Sequence, residues 1–159
     1  MCGRGPRTQV GSGGAAIVAS GRRLTSELLD YAIKNLRDVE DQAPRFGFAE
    51  VQEARFPSED LEAETVGLAF HVVRADGQQA FAHRHEKAEE IYVVLSGSGH
   101  VKLDGDVLDV GPMDAIRVAP KVARAFRAGP DGLELLVFGP HHAGDGEILR
   151  EDFWSPTAE

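Results

Sequence analysis

The sequence predicts an all-β protein, an antiparallel barrel or sandwich of short strands. From about residue 48 onward, short runs of alternating apolar and polar residues follow one another, which is the pattern of strands with one buried face. Turn-forming residues separate these runs, as at Gly97, Gly99 and residues 129–132. No amphipathic helical pattern of about 10–15 residues lies between them, so alternating strands and helices are not expected. Such a pattern is typical of an antiparallel barrel or sandwich.

The first 23 residues differ in composition from the rest of the chain. They contain four arginines and no acidic residue, and the first acid is Glu27. Residues 11–18 match a glycine-rich nucleotide-binding pattern, but no strand precedes them and no Gly-Lys-Ser/Thr follows. We therefore predict a flexible tail over residues 1–23 and a single domain over residues 24–159.

Within that domain the predicted elements follow in chain order. Residues 24–36 fit either a capped helix or, in part, an edge strand, and residues 38–47 fit a turn. The strand candidates that come next are 48–56, 64–73, 81–85, 89–97, 99–104, 106–110, 114–119, 123–128 and 133–139. From Pro140 the composition is again that of a polar loop. The hydrophobic residues expected to pack from this tail onto the barrel are Ile148, Leu149, Phe153 and Trp154.

Charge and cysteine content exclude several classes of partner. The net charge of −9 argues against nucleic acid and against an anionic membrane surface, because both are bound by basic surfaces. No apolar run approaches the roughly 18 residues of a membrane span. The single cysteine, Cys2, cannot form an internal disulfide, and no secretory signal is evident. We expect a cytoplasmic protein.

The strongest candidate site is the pair His83 and His85. Because they are two residues apart, an extended strand directs both side chains to the same face. Glu90 begins the next strand and can complete a set of two histidines and one carboxylate, which suits Fe, Mn, Ni or Zn. Tyr92 shares the face of Glu90 and is a candidate ligand-binding residue.

The spacing of this segment resembles the first signature motif of the cupin superfamily. The matching positions are Gly77, His83, His85, Glu90 and Gly97. The resemblance extends over about residues 48–139, and it implies a small type-2 cupin domain. The fold implied is a double-stranded β-helix, a jelly-roll-like barrel. By analogy with cupins of this size, we also expect a homodimer.

The stretch that corresponds to the second cupin motif departs from the family pattern. In MDAIRVAPKVARAFRA, the position of the usual fourth metal ligand, a histidine, holds Arg124. A guanidinium is always charged and cannot ligate a cation. About 5 Å from a divalent ion, at an effective dielectric near 20, it would cost roughly 6–7 kcal/mol in repulsion. Arg124 is therefore expected to turn away from the ion, to pair with Glu90 in its place, or to bind an anionic ligand.

The remaining histidines are weaker candidates. His71 lies in the strand that leads into the motif, where it is a candidate ligand-binding residue or a substitute fourth metal ligand. His100 follows a glycine turn and is expected to be solvated. His141, His142 and Asp145 lie among glycines after Pro140, so we expect them in an exposed loop.

Three functions stay open on this sequence. We predict foremost a barrel pocket that binds a small anionic molecule, together with a divalent Fe, Mn, Ni or Zn ion. The ligand-binding residues would be Arg124, Tyr92 and His71, and the metal ligands would be His83, His85 and Glu90. The alternatives are a metal-dependent dioxygenase, decarboxylase or isomerase, and a structural barrel with a vestigial site. No catalytic residue is assigned.

Overall fold

A computed structural model describes residues 31–149 and 152–155. The predictions for residues 1–23, and most of the alternatives for residues 24–36, lie outside them. The described chain contains 3₁₀ helices at Leu36–Asp38 and Ala43–Phe46. Its strands are β1 (Gln52–Arg55), β2 (Val66–Val73), β3 (Ala82–His85), β4 (Glu90–Leu103), β5 (Asp106–Val110), β6 (Ala115–Val118), β7 (Arg124–Pro140) and β8 (Gly146–Leu149). The all-β prediction is confirmed. Within the described ranges, no helix is long and apolar enough to cross a membrane.

The strands form one antiparallel sheet that curls on itself around β7. The order β1-β2-β7-β3-β8 forms one side, and β4 pairs with β5, β6 and β7. The C-terminal half of β7 pairs with β2 on one edge and with β4 on the other. Its N-terminal end pairs with β4 and, through Arg124, with His83 on β3. This register brings the start of β7 to the predicted site.

Two pairs of predicted strands are each one long strand. The candidates at 89–97 and 99–104 merge into β4, and those at 123–128 and 133–139 merge into β7. Pairing of β4 with β7 shifts register at Val94/Ser96 and at Gly97/Gly99, so bulges bend the strands where the sequence predicted turns. Gly97 has φ +77, and a Cβ there would lie 2.0 Å from the Gly132 carbonyl oxygen. Only glycine fits this crossing.

Alternate residues of the long strands fill the interior of the barrel. The fully buried side chains include Val73, Val94, Phe126, Leu133 and Leu135. They form one hydrophobic cluster with Tyr92, whose ring lies 5.0 Å from that of Phe126. The buried side chain of Tyr92 therefore joins the apolar core to the polar site above it.

The segment after Pro140 is more ordered than the sequence predicted. Residues 146–149 form β8, which pairs with β3 from Ala82↔Leu149 to His85↔Gly146. β3 otherwise pairs with β7 at a single position, so β8 supplies the partner that its edge lacks. Ile148 is 51% exposed, so its predicted packing is wrong. Phe153 and Trp154 do lie on the barrel surface, beneath the cations of Lys102 and Arg127.

Candidate metal and ligand site

The three predicted metal ligands meet inside one end of the barrel. The ligand atoms of His83, His85 and Glu90 all lie within 4.8 Å of one another. Glu90 Oε1 is 3.2 Å from His85 Nε2, and Glu90 Oε2 is 3.6 Å from His83 Nε2. The histidines share a face of β3, and Glu90 begins β4 beside them. The alternation of side chains along β3 therefore places both imidazoles as the sequence predicted.

Arg124 lies against this group and is fully buried. Its Nη2 donates to Glu90 Oε2 at 2.8 Å, and its Nε donates to the Tyr92 hydroxyl at 3.2 Å. Its Nη1 donates to the carbonyl oxygens of Pro120 and Val122 at 3.2 and 2.9 Å. Of the arrangements that the sequence allowed, pairing with Glu90 is the one that the structure contains.

Glu90 is held in its charged form by these neighbours. Burial by itself raises the pKa of this carboxyl, but the contacts with His83 and Tyr92 and the charge of Arg124 lower it well below its usual range. The Tyr92 hydroxyl donates to Glu90 Oε2 at 2.5 Å. Burial and the Glu90 charge raise the pKa of Tyr92 well above its ordinary value, so the phenol stays a neutral donor. Oε2 is thus occupied by protein donors, and Oε1 faces His85.

His85 supplies the observation that bears most directly on a metal ion. Both of its ring nitrogens are buried, and neither has a hydrogen-bond partner among the residues that the structure describes. Burial lowers the pKa of His85, and the charge of Arg124 lowers it further, which favours the neutral imidazole that binds metals. An unpartnered Nε2 beside Glu90 Oε1 and His83 fits a divalent transition metal with three protein ligands. Arg124 cannot serve as a fourth ligand.

His71 points into the barrel from β2, on the same face as Ala69 and Val73. Burial, followed by the charge of His83, lowers the pKa of His71 to about 4. Its Nδ1 is buried and has no partner within the described ranges, and its ring meets Phe56 edge-on with the centroids 5.8 Å apart. His71 lies outside the group formed by His83, His85 and Glu90. Its role in ligand binding stays a prediction.

A pocket of about 670 Å³ opens beside His85 and Glu90. Aromatic and aliphatic walls line much of it, and they come from Phe46, Phe56, Leu68, Val137 and Phe138. Phe46 and Phe56 are 68% and 52% exposed, which leaves large apolar surfaces open to the pocket. Arg45, His141 and His142 add polar groups to the lining. The pocket therefore combines apolar walls with the polar group of His85 and Glu90.

Comparison with known proteins shows a match to one protein family. Residues 70–139 match a family model described as the cupin domain. This chain contains a cupin domain. It is 32% identical over 77 residues to the uncharacterized protein MJ1618 of Methanocaldococcus jannaschii, a match that spans 46% of this chain and 62% of that one. The chain thus covers less than two thirds of that relative.

Two solved structures share the cupin architecture. The polyketide cyclase RemF from Streptomyces resistomycificus is 26% identical, with a TM-score of 0.62 over 77% of this chain and 89% of that one. A cupin protein, BF4112 from Bacteroides fragilis, is 22% identical, with a TM-score of 0.56 over 74% and 88% of the two chains. The resemblance inferred from the first motif is therefore confirmed at the level of the fold.

In this cupin, one residue beside the site was assigned wrongly from the sequence. Asp145 was expected in an exposed loop, but its side chain is 6% exposed. Its carboxylate accepts the backbone N–H groups of Lys87 and Ala88 at 3.0 and 2.8 Å, and it lies 3.3 Å from His85 Nδ1. Both amides are more than 50 residues away along the chain, so no local sequence pattern predicts the contact. His141 and His142 are exposed, as expected, although they line the pocket.

Proposed function

We propose that this cupin binds a small anionic organic molecule in the pocket, together with a divalent transition-metal ion held by His83, His85 and Glu90. The observation that carries the proposal is the buried, unpartnered Nε2 of His85, 3.2 Å from Glu90 Oε1 and beside the pocket. Two imidazoles and one carboxylate are ligands that Fe, Mn, Ni and Zn accept.

Charge balance explains why the ion and an anionic ligand belong together. Arg124 neutralises Glu90 within a buried 2.8 Å contact, so these two groups offer an incoming ion no net negative charge. A metal ion therefore leaves an excess positive charge in a largely desolvated place, where such charge is expensive. A carboxylate or phosphate on the ligand offsets that excess. Arg124 contributes through its charge, because four of its N–H groups already donate to the protein.

The pocket walls indicate the rest of the ligand. Phe46, Phe56 and Phe138 present ring surface rather than hydrogen-bonding groups. Burying such surface is favourable by about 25 cal/mol per Å². A ligand with an apolar body and one anionic end suits both the walls and the polar group. When bound, the ion would polarise an oxygen of that anionic end.

Metal titration of the purified full chain tests the proposal. We expect the wild type to bind one Ni(II) or Mn(II) per chain, as measured by calorimetry and elemental analysis. His83→Ala should lose the ion because it removes one of three ligands. His100→Ala is the matched control, because His100 is exposed on β4 and lies outside the group formed by His83, His85 and Glu90. Absence of stoichiometric metal in the wild type, or equal binding by His83→Ala, would contradict the proposed site.

The anionic ligand has its own test. Benzoate carries a carboxylate on an apolar ring, so it serves as a probe of the pocket. At saturating benzoate we expect Ni(II) to bind at least several-fold more tightly, since coupling between sites is reciprocal. Cyclohexanol is the uncharged comparison. Equal effects of the two molecules would show that the site does not select an anion.

Catalysis is a second candidate, favoured by the number of ligands. Three protein ligands leave coordination positions open on the ion, which is the arrangement of catalytic rather than structural sites. RemF, named as a polyketide cyclase, is 26% identical to this chain. Incubation of the metal-loaded protein with aromatic polyketide-like acids, followed by mass spectrometry, tests this candidate. His83→Ala is the blank, and identical spectra for the two proteins would count against catalysis.

A further inference from the structure

Asp145 faces the ring nitrogen of His85 that does not face Glu90. One imidazole thus lies between two carboxylates, with Nδ1 3.3 Å from Asp145 Oδ2 and Nε2 3.2 Å from Glu90 Oε1. We propose that Asp145 is the positioning residue of the site, which keeps the proton of His85 on Nδ1 and leaves the lone pair of Nε2 free for the ion. This inference rests on the proposed function.

Asp145 is itself held by hydrogen bonds to its side chain and to its main chain. Its two carboxylate oxygens accept the N–H groups of Lys87 and Ala88, in the connection between β3 and β4. Its carbonyl oxygen accepts the N–H of Glu86 at 3.1 Å. The next residue, Gly146, pairs with His85 in the β3–β8 ladder. A carboxylate fixed by main-chain bonds on both sides can determine the orientation of the ring that it touches.

The difference between the two carboxylates decides which nitrogen carries the proton. The 3.3 Å contact between His85 Nδ1 and Asp145 Oδ2 is not aligned as a hydrogen bond. A carboxylate only accepts, however, so its negative charge favours a proton on the nitrogen that faces it. Glu90 competes for the proton through Nε2. However, Arg124 and Tyr92 already donate to Glu90, whereas backbone amides donate to Asp145. Within the described part of the chain, Asp145 has no Lys or Arg in hydrogen-bond contact, so it is the stronger acceptor of the two.

In the proposed arrangement, the carboxylate of Asp145 contacts one nitrogen of His85 while the other nitrogen binds the metal. Such carboxylate–histidine–metal arrangements fix the tautomer of metal-binding histidines. His85 and Asp145 are far apart in the sequence, and they come together because β8 pairs with β3. The loop before β8 therefore contributes His142 to the pocket wall and Asp145 to the contact with His85.

The test compares Asp145→Asn with Asp41→Asn. Asp41 also accepts two backbone N–H groups, those of Ala43 and Ala54, but it belongs to the β1 side of the sheet. Nitrogen NMR of the metal-free full chain at neutral pH reports which nitrogen of His85 carries the proton. We expect Nδ1–H in the wild type and in Asp41→Asn. In Asp145→Asn the amide N–H₂ can donate to Nδ1, so we expect Nε2–H.

Ni(II) titration of the same proteins gives the second measurement. We expect Asp145→Asn to bind Ni(II) about 10–100-fold more weakly, the usual effect of losing such a partner. Asp41→Asn should stay within about threefold of the wild type. An Nε2–H tautomer in the wild type, an unchanged tautomer in Asp145→Asn, or equal Ni(II) affinity in both variants would overturn the inference. The wild-type spectrum decides alone if Asp145→Asn does not fold. Failure of the wild type to bind Ni(II) would instead refute the proposed function, and the spectra still report the tautomer.

Discussion

Replacing Arg124 by methionine tests how far the internal ion pair holds the barrel together. Arg124 is fully buried and donates to Glu90, Tyr92 and the carbonyl oxygens of Pro120 and Val122. Methionine occupies part of the volume of the arginine stem, but it donates no hydrogen bond. The variant therefore leaves Glu90, whose side chain is 17% exposed, charged and without a cation beside it.

The expected loss of stability is large for a single substitution. Removing one partner of a buried ion pair costs about 3–5 kcal/mol, because the other charge stays buried and uncompensated. Water that reaches the partly exposed Glu90 reduces this cost, and the two carbonyl oxygens that lose a donor add to it. We expect the free energy of unfolding to fall by about 3–5 kcal/mol. At about 2–4 °C per kcal/mol, Tm should fall by roughly 6–20 °C.

Urea unfolding followed by circular dichroism measures this loss. Arg117→Met is the matched control, because Arg117 also pairs with a glutamate, Glu89, but its side chain is 64% exposed. Such a surface pair contributes about 0–1 kcal/mol. The double variant Arg124→Met/Glu90→Gln removes the uncompensated charge and should recover part of the loss. The reasoning fails if Arg124→Met is as stable as Arg117→Met, or if the double variant is no more stable than Arg124→Met.

Two further predictions concern pH and a strand crossing. The pKa of His71 is lowered to about 4, so the unfolded chain binds a proton that the folded chain does not. The free energy of unfolding should therefore fall by about 1–2 kcal/mol from pH 7 to pH 5. In urea titrations, His71→Leu should show a smaller dependence of stability on pH. An equal dependence of stability on pH in the wild type and in His71→Leu would contradict this prediction. Gly97→Ala places a Cβ 2.0 Å from the Gly132 carbonyl oxygen at positive φ, so we expect a loss of roughly 3 kcal/mol or more. Gly105→Ala, with nothing within 4 Å, should change Tm little, and similar losses at both positions would count against the crossing.

The parts of this fold that could be predicted from the sequence are those encoded by local patterns. Alternation along each strand identified the barrel, and the interval between His83 and His85 placed both rings on one face. The bounds of β4 and β7 were harder to predict from the sequence. Gly97 and Gly99 indicate a turn when read locally, whereas pairing with β7 makes them bulges within a continuous strand. Tertiary pairing, which local composition does not encode, decides between these two outcomes.

Asp145 shows the same limit within the site. Its surroundings in the sequence, glycines and exposed histidines, are those of a surface loop. Its partners are the amides of Lys87 and Ala88, and it reaches them only because β8 pairs with β3. A single sequence carries no signal for a contact between two segments so far apart. The first motif was therefore predictable, but the carboxylate behind His85 was not.

Arg124 changes the relation between metal binding and folding in this barrel. Where a metal ion alone balances buried carboxylates, its binding energy becomes folding energy, and the empty protein is unstable. Here the guanidinium balances Glu90, and the main-chain amides of Lys87 and Ala88 satisfy Asp145. The protein can thus complete its own polar network without an ion. Among the described residues of the site, both ring nitrogens of His85 stay without a hydrogen-bond partner, and its side chain lies beside the pocket. An ion at this position would act as an exchangeable ligand, whose occupancy depends on the molecule bound beside it, rather than as a structural element.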